Sequence, residues 1–223
     1  QSGSVSFKIK TKETFPIRQL SDKNFTVKVQ AQIESRTVPT GTVAEKTISI
    51  ASVENKITGQ LAVGARAFWR DAASGILNQG PYPLRANQKT QFTIHWLVKN
   101  YATDANDVVM SAFLQSGARF TGQIKSNVSS VPTINNDSGF ATWNIGAVPA
   151  TKGVISEPIE AIFQVEVTPA TTQIGDRIVL LGETRIQGVD AWTGMRLEDE
   201  ELALTSDLPY DTTITVPDRR IQP

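Results

Sequence analysis

Few residues in this sequence could carry catalysis, and their spacing is unhelpful. Histidine occurs once, at His95, and cysteine not at all. That removes a thiolate nucleophile, a disulfide and any Cys/His zinc site. A Ser-His-Asp triad would have to rest on His95 alone, in an apolar strand. His95 alternates with Ile94 and Trp96, so it falls on the outward side of that strand. A general base there is one reading. The plainer reading is a surface residue on a solvated sheet face. It is preferred, because no second histidine exists and no Ser or Asp motif frames the position.

The remaining candidates are oxygen donors and aromatics. Glu198-Asp-Glu-Glu201, with Asp190 nearby, has the donors for calcium. It lacks the alternating Asp-x-Asp-x-Asp-Gly spacing of a dedicated calcium loop, so a solvated acidic loop is the preferred reading. Asn135-Asn-Asp-Ser-Gly139 reads as a turn, because these residues tolerate the left-handed region and bond their own backbone. Trp96 and Trp143 sit in alternating apolar patterns and are expected in the core. Trp69 and Trp192 lie beside the matching turns Asp71-Ala-Ala-Ser-Gly75 and Asp190-Ala-Trp-Thr-Gly194, where exposure to a glycan or protein ligand is the alternative. Asn127-Val-Ser129 and Asn24-Phe-Thr26 fit a glycosylation pattern that is common by chance. No Gly-rich phosphate loop is present. No residue is therefore assigned a catalytic, cofactor-binding or metal-ligating role, and no cofactor is expected.

The elements that hold these residues are read from period-2 alternation, the mark of half-buried strands. Residues 25–33 place Phe25, Val27, Val29, Ala31 and Ile33 on one face. Residues 4–10, 57–69, 92–98 and 163–167 alternate likewise, and the tail 212–216 is strand-like. The segment 196–204 is read either as a short helix or as a loop leading into a strand. Turn residues separate the runs, as at Pro39-Thr-Gly41, Pro169 and Gly175-Asp176. Many short strands at this spacing predict an all-β sandwich or barrel. Gly80-Pro-Tyr-Pro83 interrupts any strand, so a linker is expected at 78–85.

With 223 residues, one large domain or two small ones fit, and either can bury a core. Lys+Arg and Asp+Glu are 22 each, which argues against a nucleic-acid platform. No apolar run approaches a membrane span. Gln1-Ser-Gly-Ser4 has neither the basic start nor the apolar stretch of a signal peptide, and a processed chain would look the same.

Short matches recur in order along the chain. Gly3-Ser-Val-Ser-Phe-Lys-Ile9 matches Gly139-Phe-Ala-Thr-Trp-Asn-Ile145. Phe25-Thr-Val-Lys-Val29 matches Phe163-Gln-Val-Glu-Val167, and the two Asp/Gly turns above match each other. Leu61-Ala-Val-Gly64 pairs with Val179-Leu-Leu-Gly182, and Pro81-Tyr82 with Pro209-Tyr210. The order implies a duplication. Two units follow: residues 1–83, a smaller or partial repeat, and residues 84–223, a full sandwich with a strand-like tail.

Residues 86–148 resemble the surface-protein repeat called "domain of unknown function eleven". The resemblance rests on Phe92-Thr-Ile-His-Trp-Leu-Val-Lys-Asn100, Ala105, Val108-Val109, Leu114-Gln-Ser-Gly117-Ala-Arg-Phe120 and Trp143-Asn-Ile-Gly-Ala-Val148. Two positions depart from the family pattern, at Ala112-Phe113 and Gly182-Glu-Thr-Arg-Ile186. The resemblance implies tandem immunoglobulin-like β-sandwiches on an extracellular or cell-surface protein. The function expected is a non-enzymatic spacer, stalk or assembly unit. The alternative is an adhesin that recognises glycan or protein through loops at one sandwich end.

A partial first unit would expose Phe25, Val27 and Val29 and leave unpaired strand edges. Self-assembly through sheet edges is expected to follow, with the tail 212–217 or a neighbouring segment adding as a strand. The rival is that residues 1–83 form a smaller closed sandwich, with the tail or residues 84–90 folding back within the same chain.

Overall fold

The structure is a computed structural model and describes residues 4, 6–8, 10, 14–35 and 47–223. Alternating apolar residues build the strands, as expected of an all-β chain. They are β1 (Thr26–Ser35), β2 (Thr47–Lys56), β3 (Gln60–Phe68), β4 (Thr90–Tyr101), β5 (Ala105–Phe113), β6 (Arg119–Ser126) and β7 (Thr133–Ile134). There follow β8 (Phe140–Val148), β9 (Ile159–Val167), β10 (Val179–Leu181), β11 (Thr184–Asp190), β12 (Arg196–Glu201) and β13 (Leu204–Thr205). The acidic segment after Met195 is thus a strand rather than a loop or helix.

Two antiparallel sheets form the sandwich. One has the order β3-β4-β9-β6 and the other β12-β11-β5-β8-β7. Inward positions follow the period of two. Phe92, Ile94, Trp96 and Val98 from β4 and Phe163 and Val165 from β9 meet Met110, Trp143 and Ile186 from the other sheet. The Trp96 and Phe163 rings pack edge to face with centroids 5.1 Å apart. Trp143 is fully buried, and its Nε1 donates to Ser130 Oγ at 3.0 Å.

β1 and β2 stand apart from this body. Among the described residues their strand pairing is with each other, in an unbroken register from Thr26↔Lys56 to Ser35↔Thr47.

Several expectations from sequence meet a different arrangement. The boundary expected between residues 83 and 84 lies between β3 and β4, which pair along their whole length from Gln60↔Tyr101 to Phe68↔Thr93. Leu61, Ala65 and Ala67 of β3 belong to the same core as β4. The expected linker 78–85 is held to the body: Leu84 is buried, and Tyr82 Oη donates to the Ser206 carbonyl at 2.8 Å. The duplicated segments do not fall on equivalent strands, since Phe25–Val29 leads into the free-standing hairpin while Phe163–Val167 lies in central β9. Val5, Ile9 and the turn at Pro39–Gly41 lie outside the described residues. Ser4, Ser6, Phe7, Lys8 and Lys10 are described and are not in a strand.

The tail at 212–216 is not a strand and is not free to exchange. Thr213 donates twice to Asp211 Oδ1, through its amide at 3.0 Å and its hydroxyl at 2.6 Å, which turns the chain. Ile214 and Ile221 are buried. Gln222 N donates to the Leu84 carbonyl at 2.8 Å and Ala86 N to the Gln222 carbonyl at 2.9 Å. The tail and residues 84–86 fold back together, as one part of the rival expectation had it, but residues 1–83 do not close into a sandwich of their own: β3 pairs with β4.

Trp143→Ala should cost about 3–5 kcal/mol in chemical denaturation, as aromatic truncation in a packed core does. A loss below about 1 kcal/mol would contradict the inward register of β8.

Candidate functional site

His95 is where sequence and structure differ most. It does point outward from β4, but it is not solvated. After β3 the chain crosses this outer face as a strap, residues 69–80. His95 Nε2 lies 2.7 Å from Asp71 Oδ2 on the strap, and Nδ1 lies 2.7 Å from Glu160 Oε1 on β9. Its side chain is 13% exposed, and the Phe68 ring meets it edge-on at 5.0 Å. Burial pushes the Asp71 carboxyl up, but bonds from His95 and Ser74 outweigh this and hold it below its ordinary value.

Nearby bonds fasten the same strap. Gln164 Nε2 donates to Asn78 Oδ1 at 2.8 Å and to the Leu77 carbonyl at 3.1 Å. Asn78 Nδ2 donates to the Phe68 and Trp69 carbonyls, each at 3.1 Å. Lys125 Nζ donates to the Ser74 carbonyl. Chemically this is a latch. Both ring nitrogens of His95 are committed to carboxylates on opposite sides, so neither faces solvent as a base. The three groups also cannot converge on one metal ion. Among the described residues, no group of three or more His, Cys, Asp or Glu is placed to hold a metal.

Asp190 and the acidic strand serve β3. Asp190 is fully buried. Its Oδ2 accepts Gly59 N at 2.7 Å, and its Oδ1 accepts Trp192 N at 2.7 Å and Thr193 N at 3.1 Å. Burial pushes this carboxyl up, but the amides of Gly59, Thr193 and Trp192 outweigh burial and leave it lowered. Gly59 is required by closeness: a Cβ there would lie 2.0 Å from Thr103 Oγ1. Asp199 Oδ2 accepts Val63 N at 3.0 Å from the middle of β3. Its neighbours Glu198 and Glu200 lie on the opposite side of β12, as alternation requires. Asp211, which the sequence did not single out, accepts Trp69 N at 2.8 Å and Arg70 N at 3.0 Å just beyond β3.

The aromatics divide as expected between core and loops. Trp96 and Trp143 are buried, while Trp69 and Trp192 are half-buried. Trp69 packs on Tyr82 and donates Nε1 to the Gly80 carbonyl at 3.2 Å. Trp192 lies at the foot of the hairpin, with Lys56 Nζ 4.1 Å from its ring centroid. The two residues flank opposite ends of β3, roughly 30 Å apart at ~3.3 Å per strand residue, so they form no common platform. Their turns do share one geometry: Gly75 and Gly194 have φ of 68° and 73°, behind aspartates that accept backbone amides.

Asn135 Oδ1 accepts Asp137 N and Ser138 N, the turn expected. Asn127 bonds Pro158 O and Glu160 N, and Asn24 N donates to the Ala102 carbonyl at 2.7 Å. No helix among the described residues is long and apolar enough to cross a membrane.

No protein-family model matches the chain, and no curated protein matches it in sequence. Among solved structures, BcpA, the major pilin subunit of Bacillus cereus, is 13% identical with a TM-score of 0.41, covering 76% of this chain and 52% of that one. The full-length major pilin SpaD from Corynebacterium diphtheriae is 9% identical at 0.40, covering 92% and 64%. An inactive mutant of a GH20 exo-β-N-acetylglucosaminidase from Vibrio harveyi is 13% identical at 0.29, covering 62% and 17%. The chain spans about half the length of the Bacillus cereus pilin. Likeness this partial carries no argument here about what the chain does.

The lowered carboxyls set the acid limit of the fold. Asp71, Asp190 and Asp211 all sit below their ordinary value. Their stabilisation is complete above the unfolded carboxylate range, about pH 4, and is lost as pH falls through the folded values. Melting temperature should stay flat from pH 7 to about 5 and drop below about 4. Asp190→Asn puts an amide donor against an amide N–H. It should cost about 1.5–3 kcal/mol at pH 7 and flatten the acid slope. An unchanged slope would show that Asp190 is not one of the groups that matter.

Proposed function

We propose that this chain is a structural module of an extracellular or cell-surface protein, a spacer or assembly unit with no catalytic activity of its own. Its body is the sandwich from β3 onward, and its working element is the β1–β2 hairpin. One observation carries this reading. The hairpin displays exposed aliphatic side chains beyond its half-buried Val27 and Val29, while the body's histidine and buried carboxylates are committed to bonds that hold the fold. Ile33 and Val53 are 69% and 59% exposed.

The hairpin is firmly rooted. Ile57 N donates to the Phe25 carbonyl at 2.9 Å, Lys56 Nζ to the Trp192 carbonyl at 2.9 Å, and Lys23 Nζ to Asp104 Oδ2 at 2.8 Å. Such a root presents the hairpin in a fixed direction, as a contact element needs. Protein, rather than glycan or nucleic acid, is the partner this surface suits. It offers strand edges and aliphatic side chains, and the chain's net charge is zero. Kinship with the "domain of unknown function eleven" repeats belongs to the same proposal. Its support is that Phe92–Asn100, Val108-Val109, Phe120 and Trp143–Val148 fall on β4, β5, β6 and β8 of one sandwich.

Two measurements test the reading. A broad panel of hydrolase and transferase substrates should show no turnover, and turnover abolished by His95→Ala would overturn it. Replacing residues 26–56 with an Asn-Gly turn should leave a cooperatively melting body within a few degrees of the full chain. Loss of cooperative melting would show that the hairpin is part of the body and not displayed by it.

A further inference from the structure

The hairpin's outer edge is self-complementary, and we infer that β1 pairs antiparallel with β1 of a second copy of this chain, centred on Ala31. The inference rests on the hairpin being a displayed contact element, as proposed above. Among the described residues β1 is bonded on one side only, to β2. An isolated two-stranded hairpin is marginal in water, and three or more strands with an apolar face hold on their own. Joining two copies edge to edge gives four strands, β2-β1-β1-β2.

The register follows from the side chains. The face of the hairpin that carries Val27, Val29, Ala31 and Ile33 also carries Ala51 and Val53, through the pairs Val29↔Val53 and Ala31↔Ala51. Along β1 the other face carries Lys28, Gln30, Gln32 and Glu34, with Ile50 and Ile48 of β2 across from the last two. Centring the pair on Ala31 sets Val29 against Ile33, Gln30 against Gln32, and Lys28 against Glu34. By two-fold symmetry the charge pair and the apolar pair each occur twice. Opposite charges and apolar pairs directly across strands stabilise a sheet, and like charges destabilise it.

Neighbouring registers lose this match. A shift by one residue sets apolar faces against polar ones. Centring on Gln30 sets Lys28 against Gln32 and Glu34 against Thr26. The outer edge of β2 has no comparable register, because its only charged residues, Glu54 and Lys56, sit together at the root. Lys28 already lies 2.8 Å from Glu54, and Glu34 already accepts Gln32 Nε2 at 2.7 Å. Pairing of two copies therefore adds a charge to existing local bonds and does not require either group to be unpaired. The edge also lacks proline and inward-pointing charge, the usual guards against strand addition.

The test uses the full chain. Sedimentation across a concentration series should show a monomer–dimer equilibrium. The chain has no cysteine, so Ala31→Cys supplies a single thiol. Directly opposed strand residues have Cα atoms about 4.5–5.5 Å apart, within the reach of a disulfide. Mild oxidation should therefore give a covalent dimer with Ala31→Cys and not with Ser49→Cys on β2. Glu34→Lys alone should weaken dimerisation at least tenfold. Mixing it with Lys28→Glu should restore a heterodimer, because each lysine then faces a glutamate. Melting curves and far-ultraviolet spectra confirm that each variant is folded.

A monomer at every concentration overturns the inference. So does a dimer that cross-links equally well through Ser49→Cys, or one that the charge mixture fails to restore. Any of these leaves the structural-module reading standing, since that is judged by turnover and by removal of the hairpin.

Discussion

β3 is an edge strand held in place by three aspartates from far along the chain. Asp190 takes the amide of Gly59 before the strand, Asp199 takes that of Val63 within it, and Asp211 takes those of Trp69 and Arg70 after it. On its other side β3 pairs with β4. The carboxylates therefore satisfy amides that the sheet leaves open along this edge. An unpaired buried amide is expensive, and a charged acceptor gives a stronger bond than a neutral one. Everything else is positioned from here. The hairpin enters and leaves at the Asp190 end, and the strap begins at the Asp211 end. The C-terminal tail is fixed because Asp211 belongs to it.

The strap shows the same economy of polar groups. Its path over the outer face of β4 and β9 covers side chains that alternation would otherwise leave in water. Thr93 is fully buried there and Gln164 nearly so. A buried amide such as Gln164 has to find partners, and the strap supplies them through Asn78 and the Leu77 carbonyl. His95 completes the seal by bonding the strap on one side and β9 on the other. The residue types that promised chemistry are the ones that lock the fold, and this is why composition alone misleads about them.

Strands were legible in the sequence wherever apolar and polar residues alternate, whether or not the apolar side meets a core. β1, β3, β4 and β9 follow their alternating residues closely, and Trp96 and Trp143 are buried as their patterns required. What was not legible depends on contacts between distant segments. Nothing in Asp71-Ala-Ala-Ser-Gly75 says that it will fold over His95, so the histidine reads as solvated. Asp199 sits in a run of acids that looks like a loop, although its partner is an amide more than a hundred residues earlier. Ile214 and Ile221 are lone apolar residues without periodicity, so the tail gives no sign of packing. The boundary at 83–84 fails for a related reason. Pro81 and Pro83 do break a strand, but a break between two strands is equally a connection between neighbours in one sheet.

The matched segments Phe25–Val29 and Phe163–Val167 show what the pattern by itself can and cannot decide. Both alternate apolar with polar residues over the same length. In β9 the apolar side meets the second sheet, and Phe163 and Val165 are fully buried. Along β1, among the described residues, Phe25 stacks on Phe15 at 6.1 Å at the root, Val27 and Val29 are half-buried, and Ala31 and Ile33 further out are exposed. Burial of aliphatic side chains is the main favourable term in folding, so one sequence pattern yields a stable strand in β9 and an incomplete one in β1. Natural chains seldom leave such an edge long, regular and unguarded. The alternation in β1 is regular through Val27, Val29, Ala31 and Ile33, and β2 adds Ala51 and Val53 to that face while Ile48 and Ile50 fall on the other. A segment with no burial to gain would not need that regularity. Its presence is what makes the hairpin readable as half of a contact surface.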